Sequence, residues 1–405
     1  MSGYPDPVLP IAEIQAELKA RGLDAWLFYD HHHRDAIAYR ILGLPEPMMV
    51  TRRWYYLIPA VGTPGKLVHR IESGALDRLP GERMQYSQWG ELDAGLRALI
   101  ARLGPTPCVA MQYSPGCALP AVSLADAGTV EQMRAQGCKI VSSGDLISRF
   151  DAVWTPAMLA SHHAAGRAVD AAIQGAFRRV REHLDRGARL TEFELQQWIW
   201  SQLRGAGMES EDPPIVAVNA HAADPHYQPT AETSSAISAG DLLLLDVWAT
   251  PSGPNRCFYD VTWMGYCLRP GEAGVPAPLV HLFEALRQAR DAGISLATCG
   301  RAGLRGFEVD QAVRGVLAKA GLAEFFVHRT GHSLGRDVHA TGANMDDFET
   351  HDERLILPGT AFTIEPGLYA PRGQAVGLRT EVNVYVDPRG QGAVTGPVQA
   401  EIVRI

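Results

Sequence analysis

At 405 residues the chain exceeds what one ordinary hydrophobic core uses and suits two domains. Its 46% apolar and 20% charged content is that of a globular protein, and a net charge of −8 leaves no basic face for phosphates, which argues against a nucleic-acid partner. No apolar run approaches the ~20 residues that cross a bilayer, so no membrane partner is expected either.

Met1-Ser2-Gly3-Tyr4-Pro5-Asp6-Pro7 has neither the basic start nor the apolar centre of a signal peptide. Cys108, Cys117, Cys138, Cys257, Cys267 and Cys299 contain no CxxC pair and read as reduced thiols of a cytoplasmic protein. After the Pro-punctuated lead, residues 10–21 pattern as a short amphipathic helix with Ile11, Ile14 and Leu18 on one face. Gly22 stops it, and Ala25-Trp26-Leu27-Phe28-Tyr29 follows as a buried strand. Further strands are predicted at 54–60, 66–71, 108–112 and 139–142, with a helix at 91–103, so residues 1–150 read as one small α/β domain. His31-His32-His33 could be a metal tract, but neighbours on extended backbone point in opposite directions, and a polar loop past the strand end is the favoured reading. Residues 151–156 read as a linker. An Ala-rich helix is predicted at 157–184, stopped near Gly187. Thr191-Glu192-Phe193-Glu194 is a capping box opening a helix to about Leu203, whose Trp198 and Trp200 are expected in the core. Strands then alternate with helices near 279–298 and 307–320.

The chemistry gathers in this second half. Leu242-Leu243-Leu244-Leu245-Asp246 reads as an apolar strand ending in a carboxylate, commonly just a turn cap. Asp260 is harder to explain that way, because Cys257-Phe258-Tyr259-Asp260-Val261-Thr262-Trp263-Met264 is too apolar for an unpaired charge. The same holds for Glu365, in Thr363-Ile364-Glu365-Pro366-Gly367, and Glu381, in Leu378-Arg379-Thr380-Glu381-Val382. Arg379, two residues before Glu381 on the same strand face, offers an ion pair for part of that charge. Between these carboxylates lies Gly331-His332-Ser333-Leu334-Gly335-Arg336-Asp337-Val338-His339, with two histidines seven apart. One imidazole cannot hold four mutually repelling carboxylates together, whereas two divalent cations can. Manganese, cobalt or zinc suit such mixed oxygen and nitrogen donors. An ion pair of this kind activates water near neutral pH and polarises a carbonyl, which is hydrolytic chemistry.

The set resembles the metallopeptidases of the pita-bread fold, which include methionine aminopeptidases, Xaa-Pro aminopeptidases and prolidases. Asp246 and Asp260-Val261-Thr262 match the first two ligands, His332 the third, Glu365-Pro366-Gly367 the fourth and Arg379-Thr380-Glu381 the fifth. The resemblance implies His339 as a nearby catalytic group and His226, in Pro225-His226-Tyr227, as another active-site histidine. It places His328 where prolyl-specific members have a substrate-pocket histidine. The N-terminal 150 residues resemble the extra domain of the prolyl peptidases and creatinase. The implied architecture is α/β (α+β), with a creatinase-type domain at 1–150 before a pita-bread catalytic domain at 156–405.

Two departures stand out. Asp246 and Asp260 are fourteen apart, slightly more than is usual, so the hairpin carrying Pro251, Gly253 and Pro254 is longer. Trp263 replaces an arginine of the family's Asp-x-Thr-Arg, which could alter the charge balance or the pocket wall. The resemblance implies an exopeptidase cutting before proline, with Glu365 as general base and then acid, and with His226 and His339 donating to the oxyanion and substrate backbone. His328 and Arg379 are assigned to substrate. Xaa-Pro dipeptides, or short peptides with proline at position two, are the expected substrates, and a homodimer the expected assembly. An Xaa-Pro dipeptidase is favoured over an Xaa-Pro aminopeptidase, with a cation from Arg34, Arg52 or Arg53 meeting the free carboxylate. The complete ligand set disfavours a metal-free, creatinase-like amidinohydrolase. A non-catalytic peptide-binding module is the remaining alternative.

Overall fold

The computed structural model describes residues 9–45 and 48–405, and the Pro-punctuated lead lies outside them. The chain divides into two compact units, Met1–Asp151 and Ala152–Ile405.

The first unit is built on β1 (Ala25–Asp30), β2 (Trp54–Pro59), β3 (Gly65–His69), β4 (Glu82–Tyr86), β5 (Cys108–Met111) and β6 (Lys139–Ser142), in the order β4-β3-β2-β1-β5-β6. Five helices accompany the sheet: α1 (Ile11–Ala20), α2 (Ala36–Leu42), α3 (Trp89–Ala101), α4 (Ala127–Ala135) and α5 (Gly144–Phe150). Side chains alternate across β1. Trp26 and Phe28 pack with Ile14 and Leu18 of α1, Ile37 of α2 and Leu146 of α5. Ala25, Leu27 and Tyr29 pack with Leu92, Leu96 and Leu99 of α3 and Val130 of α4. A sheet covered on both faces needs continuous apolar strands, which is why β1 and β2 read as unbroken hydrophobic runs. The three histidines form a bend beyond β1, with His32 and His33 at positive φ of 63° and 55°.

The second unit opens with α6 (Pro156–Asp185), N-capped by Thr155, and α7 (Glu192–Gly205), which carries the expected Thr191–Glu194 capping box. Trp198 and Trp200 are half-buried rather than in the core. Each lies under an arginine, Arg179 at 5.6 Å and Arg204 at 4.4 Å from the ring centroid. On a helix packed along one stripe, Leu195, Ile199 and Leu203 are the apolar side chains that become fully buried, and Trp198 packs against their cluster from its edge. The strands are β7 (Met208–Glu209), β8 (Ile215–Val218), β9 (Leu242–Pro251), β10 (Tyr259–Tyr266), β11 (Ser333–Leu334), β12 (Ala361–Ile364), β13 (Gly367–Tyr369), β14 (Gly377–Arg379), β15 (Val382–Val386), β16 (Gly392–Val394) and β17 (Val403–Arg404). Helices α8 (Ala277–Thr298) and α9 (Gly306–Lys319) lie between β10 and β11 in the chain. One sheet runs β17-β10-β9-β7 with β8 also on β9, a second runs β11-β12-β15-β16, and β13 pairs with β14. No helix among the described residues is long and apolar enough to cross a membrane.

Candidate active site

The site grows from the register of β9 against β10. Asp246 faces Thr262, and Trp248 faces Asp260. Opposed residues of an antiparallel pair share a face, as do residues two apart, so Asp246, Asp260 and Thr262 look the same way. That face continues through Leu242, Leu244, Met264 and Tyr266 into the core shared with α8 and α9. The other face, with Leu243, Leu245, Val247 and Val261, packs with α6 and α7. The carboxylates therefore extend an apolar face that is covered along its whole length. Asp246 lies mid-strand, not at a strand end as the apolar run suggested, because β9 continues to Pro251.

The other ligand candidates come from the second sheet. His332 directly precedes β11, Glu365 follows β12, and Glu381 sits between β14 and β15. Three polar side chains, to which the motifs assign no role, fix them. The Thr363 hydroxyl accepts from the His332 N–H at 3.0 Å and donates to Glu365 Oε1 at 2.9 Å. The Asn383 amide accepts from the Asp260 N–H and donates to the Asp260 carbonyl, at 3.2 and 2.8 Å, which ties β15 to β10. The Thr262 hydroxyl lies 3.0 Å from Asp246 Oδ1 and 2.8 Å from Glu381 Oε2, and it accepts from Arg379 Nε at 2.9 Å. Gly331 is required here, because a Cβ would run into the Thr363 carbonyl.

Among the described residues, Asp260, His332 and Glu381 form the group whose donor atoms all lie within 4.8 Å of one another. Glu365 joins them, its Oε1 3.3 Å from His332 Nε2, which is also 3.6 Å from Asp260 Oδ2. His332 Nδ1 lies 3.1 Å from the Ser333 carbonyl, so the ring donates there and keeps a lone pair on Nε2. That lone pair faces carboxylate oxygens, an arrangement with nothing positive at its centre. Asp260 Oδ1 and Glu381 Oε1 are buried and have no hydrogen-bond partner among the described residues. Burial and mutual repulsion push the Asp246, Asp260 and Glu381 carboxyls well up, Asp246 despite its ion pair with Arg379. Glu365 is the exception. Burial raises it, but His332, Arg379 and His328 together hold it below its ordinary value. Burial also disfavours the protonated forms of His332 and His328, which leaves Arg379 as the lasting cation acting on Glu365. Orphaned oxygens around a lone pair are what a cation site needs, and this donor set fits manganese, cobalt or zinc.

All nine candidates line one cavity of about 780 Å³: Asp246, Asp260, His332, Glu365, Glu381, His226, His328, His339 and Arg379. The ring of His339 meets that of His332 edge-on at 4.3 Å, and His332 and then burial disfavour its protonated form. His226 is exposed, with its backbone N–H on Asp224. His221, in the same segment, points elsewhere: it bonds buried Glu192 at 2.9 Å and stacks on Tyr227. Glu192 also accepts from the Val218 and Ser235 N–H groups and from the Tyr227 hydroxyl, and so clamps the segment that carries His226. His328 has both nitrogens engaged, Nδ1 with the Arg329 carbonyl and Nε2 with the Tyr369 hydroxyl, each at 2.7 Å. Burial pushes its pKa down to about 4. Arg379 ion-pairs with Asp246, not with Glu381 as its i−2 spacing suggested, and reaches the Tyr369 hydroxyl at 3.4 Å. Trp263 faces α6 and α7, away from the cavity, whereas Trp248 lines it.

Comparisons with known proteins agree. The sequence profile of metallopeptidase family M24 matches residues 160–388, more than half of the chain. A probable dipeptidase, PepE, of Mycobacterium tuberculosis is 29% identical over 317 residues, which is 78% of this chain and 76% of that protein. A putative Xaa-Pro aminopeptidase of Mycoplasma genitalium is 28% identical over 205 residues, 49% of this chain and 51% of its own length. The crystal structure of dipeptidase PepE from Mycobacterium ulcerans matches with a TM-score of 0.68 at 24% identity, covering 98% of this chain and 96% of that one. The fold, the cavity and the family match lead to one conclusion: the chain is a metallopeptidase of family M24, with the pita-bread fold of its prolyl branch, an enzyme class that works with divalent metal ions.

Proposed function

We propose that the protein is a dinuclear-metal exopeptidase hydrolysing the peptide bond before proline, an Xaa-Pro dipeptidase of the cytoplasm that works as a homodimer. The observation that carries this reading is the pair of orphaned oxygens, Asp260 Oδ1 and Glu381 Oε1, beside the His332 lone pair at the floor of the cavity. Asp246, Asp260, His332, Glu365 and Glu381 would hold two divalent ions, manganese, cobalt or zinc. When bound, such ions supply Lewis-acid polarisation of a carbonyl and an activated water. The protein's own groups do the rest. Glu365, held ionised, takes a proton and returns it to the leaving nitrogen. His226 and His339 donate hydrogen bonds to the developing oxyanion. His328 gives the substrate its ring, since both nitrogens are committed, and with Trp248, Ile215 and Val338 makes an apolar wall suited to a proline ring. Arg379 serves the pocket by fixing Asp246 and Tyr369.

The PepE relatives are named as dipeptidases, and the six free cysteines suit a reducing compartment. The Mycoplasma relative, named as an Xaa-Pro aminopeptidase, favours a second reading in which longer peptides enter. The test is hydrolysis of a matched pair, Ala-Pro and Ala-Pro-Ala, by chelator-stripped protein reloaded with manganese, cobalt or zinc. Metal-dependent cleavage of the dipeptide alone is expected. Cleavage of the tripeptide would establish the aminopeptidase instead.

A further inference from the structure

The cavity wall is strongly acidic. Beyond the cluster's four carboxylates, Glu211, Asp212 and Glu349 also line it. A dipeptide ending in proline presents a carboxylate close to the bond being cut, and this wall repels it. Two guanidiniums line the same cavity, those of Arg329 and Arg379. Arg379 is committed through all three nitrogens, to Thr262, Tyr369 and Asp246.

Arg329 is different. Its N–H donates to Glu349 Oε1 at 3.0 Å and its carbonyl meets His328 Nδ1 at 2.7 Å, so its backbone is pinned on both sides. Its guanidinium has no hydrogen-bond or ion-pair partner among the described residues, although the residue is half-buried. Its charge reaches His332 and His339 and opposes protonation of both. A cation held half-buried beside the catalytic histidines, in an otherwise anionic pocket and with its donors unused, is arranged for an anion. A planar guanidinium matches a carboxylate with two parallel hydrogen bonds.

We infer that Arg329 is the specificity-determining residue that receives the free α-carboxylate of the substrate's proline. This rests on the Xaa-Pro dipeptidase reading and deepens it. A substrate continuing past proline offers a neutral amide at that point, leaving the guanidinium without its charge partner, so selection for dipeptides follows from Arg329.

The experiment compares metal-loaded wild type, R329M and R329K on Ala-Pro and on Ala-Pro-amide, with calorimetric binding of proline and prolinamide as a readout independent of turnover. Wild type is expected to prefer the free acid. In R329M the KM for Ala-Pro should rise roughly ten- to a hundredfold with kcat and metal content little changed. The amide should be unaffected, proline binding should be lost, and R329K should recover part of both. Retention of the wild-type preference in R329M would overturn the assignment. An equal loss on acid and amide through kcat would also overturn it, as the mark of a merely structural residue. If wild type cuts neither substrate, the dipeptidase reading fails by itself. Proline binding then decides: dependence on Arg329 keeps the carboxylate site, and its absence removes it.

Discussion

Asp30 and Asp260 carry the same sequence signature, an aspartate in an apolar, aromatic β-strand, and both are buried, at 1% and 6% exposure. Their surroundings differ completely. Asp30, in the first unit, accepts from the N–H groups of His33, Arg34 and Asp35 and from the Tyr39 hydroxyl, at 2.7–3.1 Å. Asp260, in the second, has one oxygen without any partner and its charge faced by other carboxylates. A buried carboxylate must be compensated. At Asp30 the compensation comes from the turn that follows the strand. At Asp260 the described residues do not supply it, and under the proposed function a bound cation would.

The sharpest way to break this contrast is Asp260→Asn. Hydrolysis should fall by roughly a thousandfold or more, as expected when metal assistance is removed, and the bound metal content should drop. The metal-free variant should unfold no earlier than metal-free wild type, because a repelled charge has gone. Clear destabilisation there would mean that Asp260 is an ordinary structural carboxylate. Glu192→Gln is expected to do less to chemistry and more to the fold. Glu192 is buried with four donors around it, so losing its charge should cost about 1–3 kcal/mol in denaturant unfolding and slow turnover roughly tenfold as the His226 segment loosens. Asp30→Asn should cost a similar ~1–3 kcal/mol while leaving kcat/KM per folded molecule unchanged. A large loss of kcat would merge the two classes.

The smallest effects are in pH dependence, where Asp35 and His162 contribute with opposite signs. Burial raises Asp35, the N-cap of α2, from 3.8 to about 7, so its contribution to stability is full below its unfolded value and is lost as pH rises from about 4 through 7. Burial lowers His162 of α6, which bonds the Phe258 carbonyl and Thr395, from 6.5 to about 4. Its contribution is full above 6.5 and is lost as pH falls through 4. Hydrogen exchange at pH 5 and pH 8 should show Asp35→Asn removing its contribution to the pH dependence of the first unit and His162→Gln removing a contribution of opposite sign from the second.

The contrast also says what a sequence can show. Carboxylates in apolar runs are visible, and the strands and helices bearing them follow from hydrophobic periodicity. The pattern cannot separate Asp30 from Asp260, because the deciding donors depend on a turn bending back over the strand. The roles of Thr262, Thr363 and Asn383 are not legible in the motifs, because they exist only once β10, β12 and β15 are in register. Arg379 was paired with its neighbour in sequence, whereas the register delivers it to Asp246, 133 residues away. Strand β4 is hard to read from the sequence because only Met84 and Tyr86 of its five residues are apolar. The alternation that turns Trp263 from the cavity is legible only after β10 is known to face it with Asp260 and Thr262.

The proposed function requires Asp246, Asp260, His332, Glu365 and Glu381 to hold a pair of divalent ions. The most direct test is a metal titration of chelator-stripped protein, following bound ions per chain together with Ala-Pro hydrolysis. The account predicts saturation at two ions per chain, full activity only with both bound, and a rise in thermal stability over the same titration. Saturation at one ion or none, or hydrolysis that survives chelation, would contradict it.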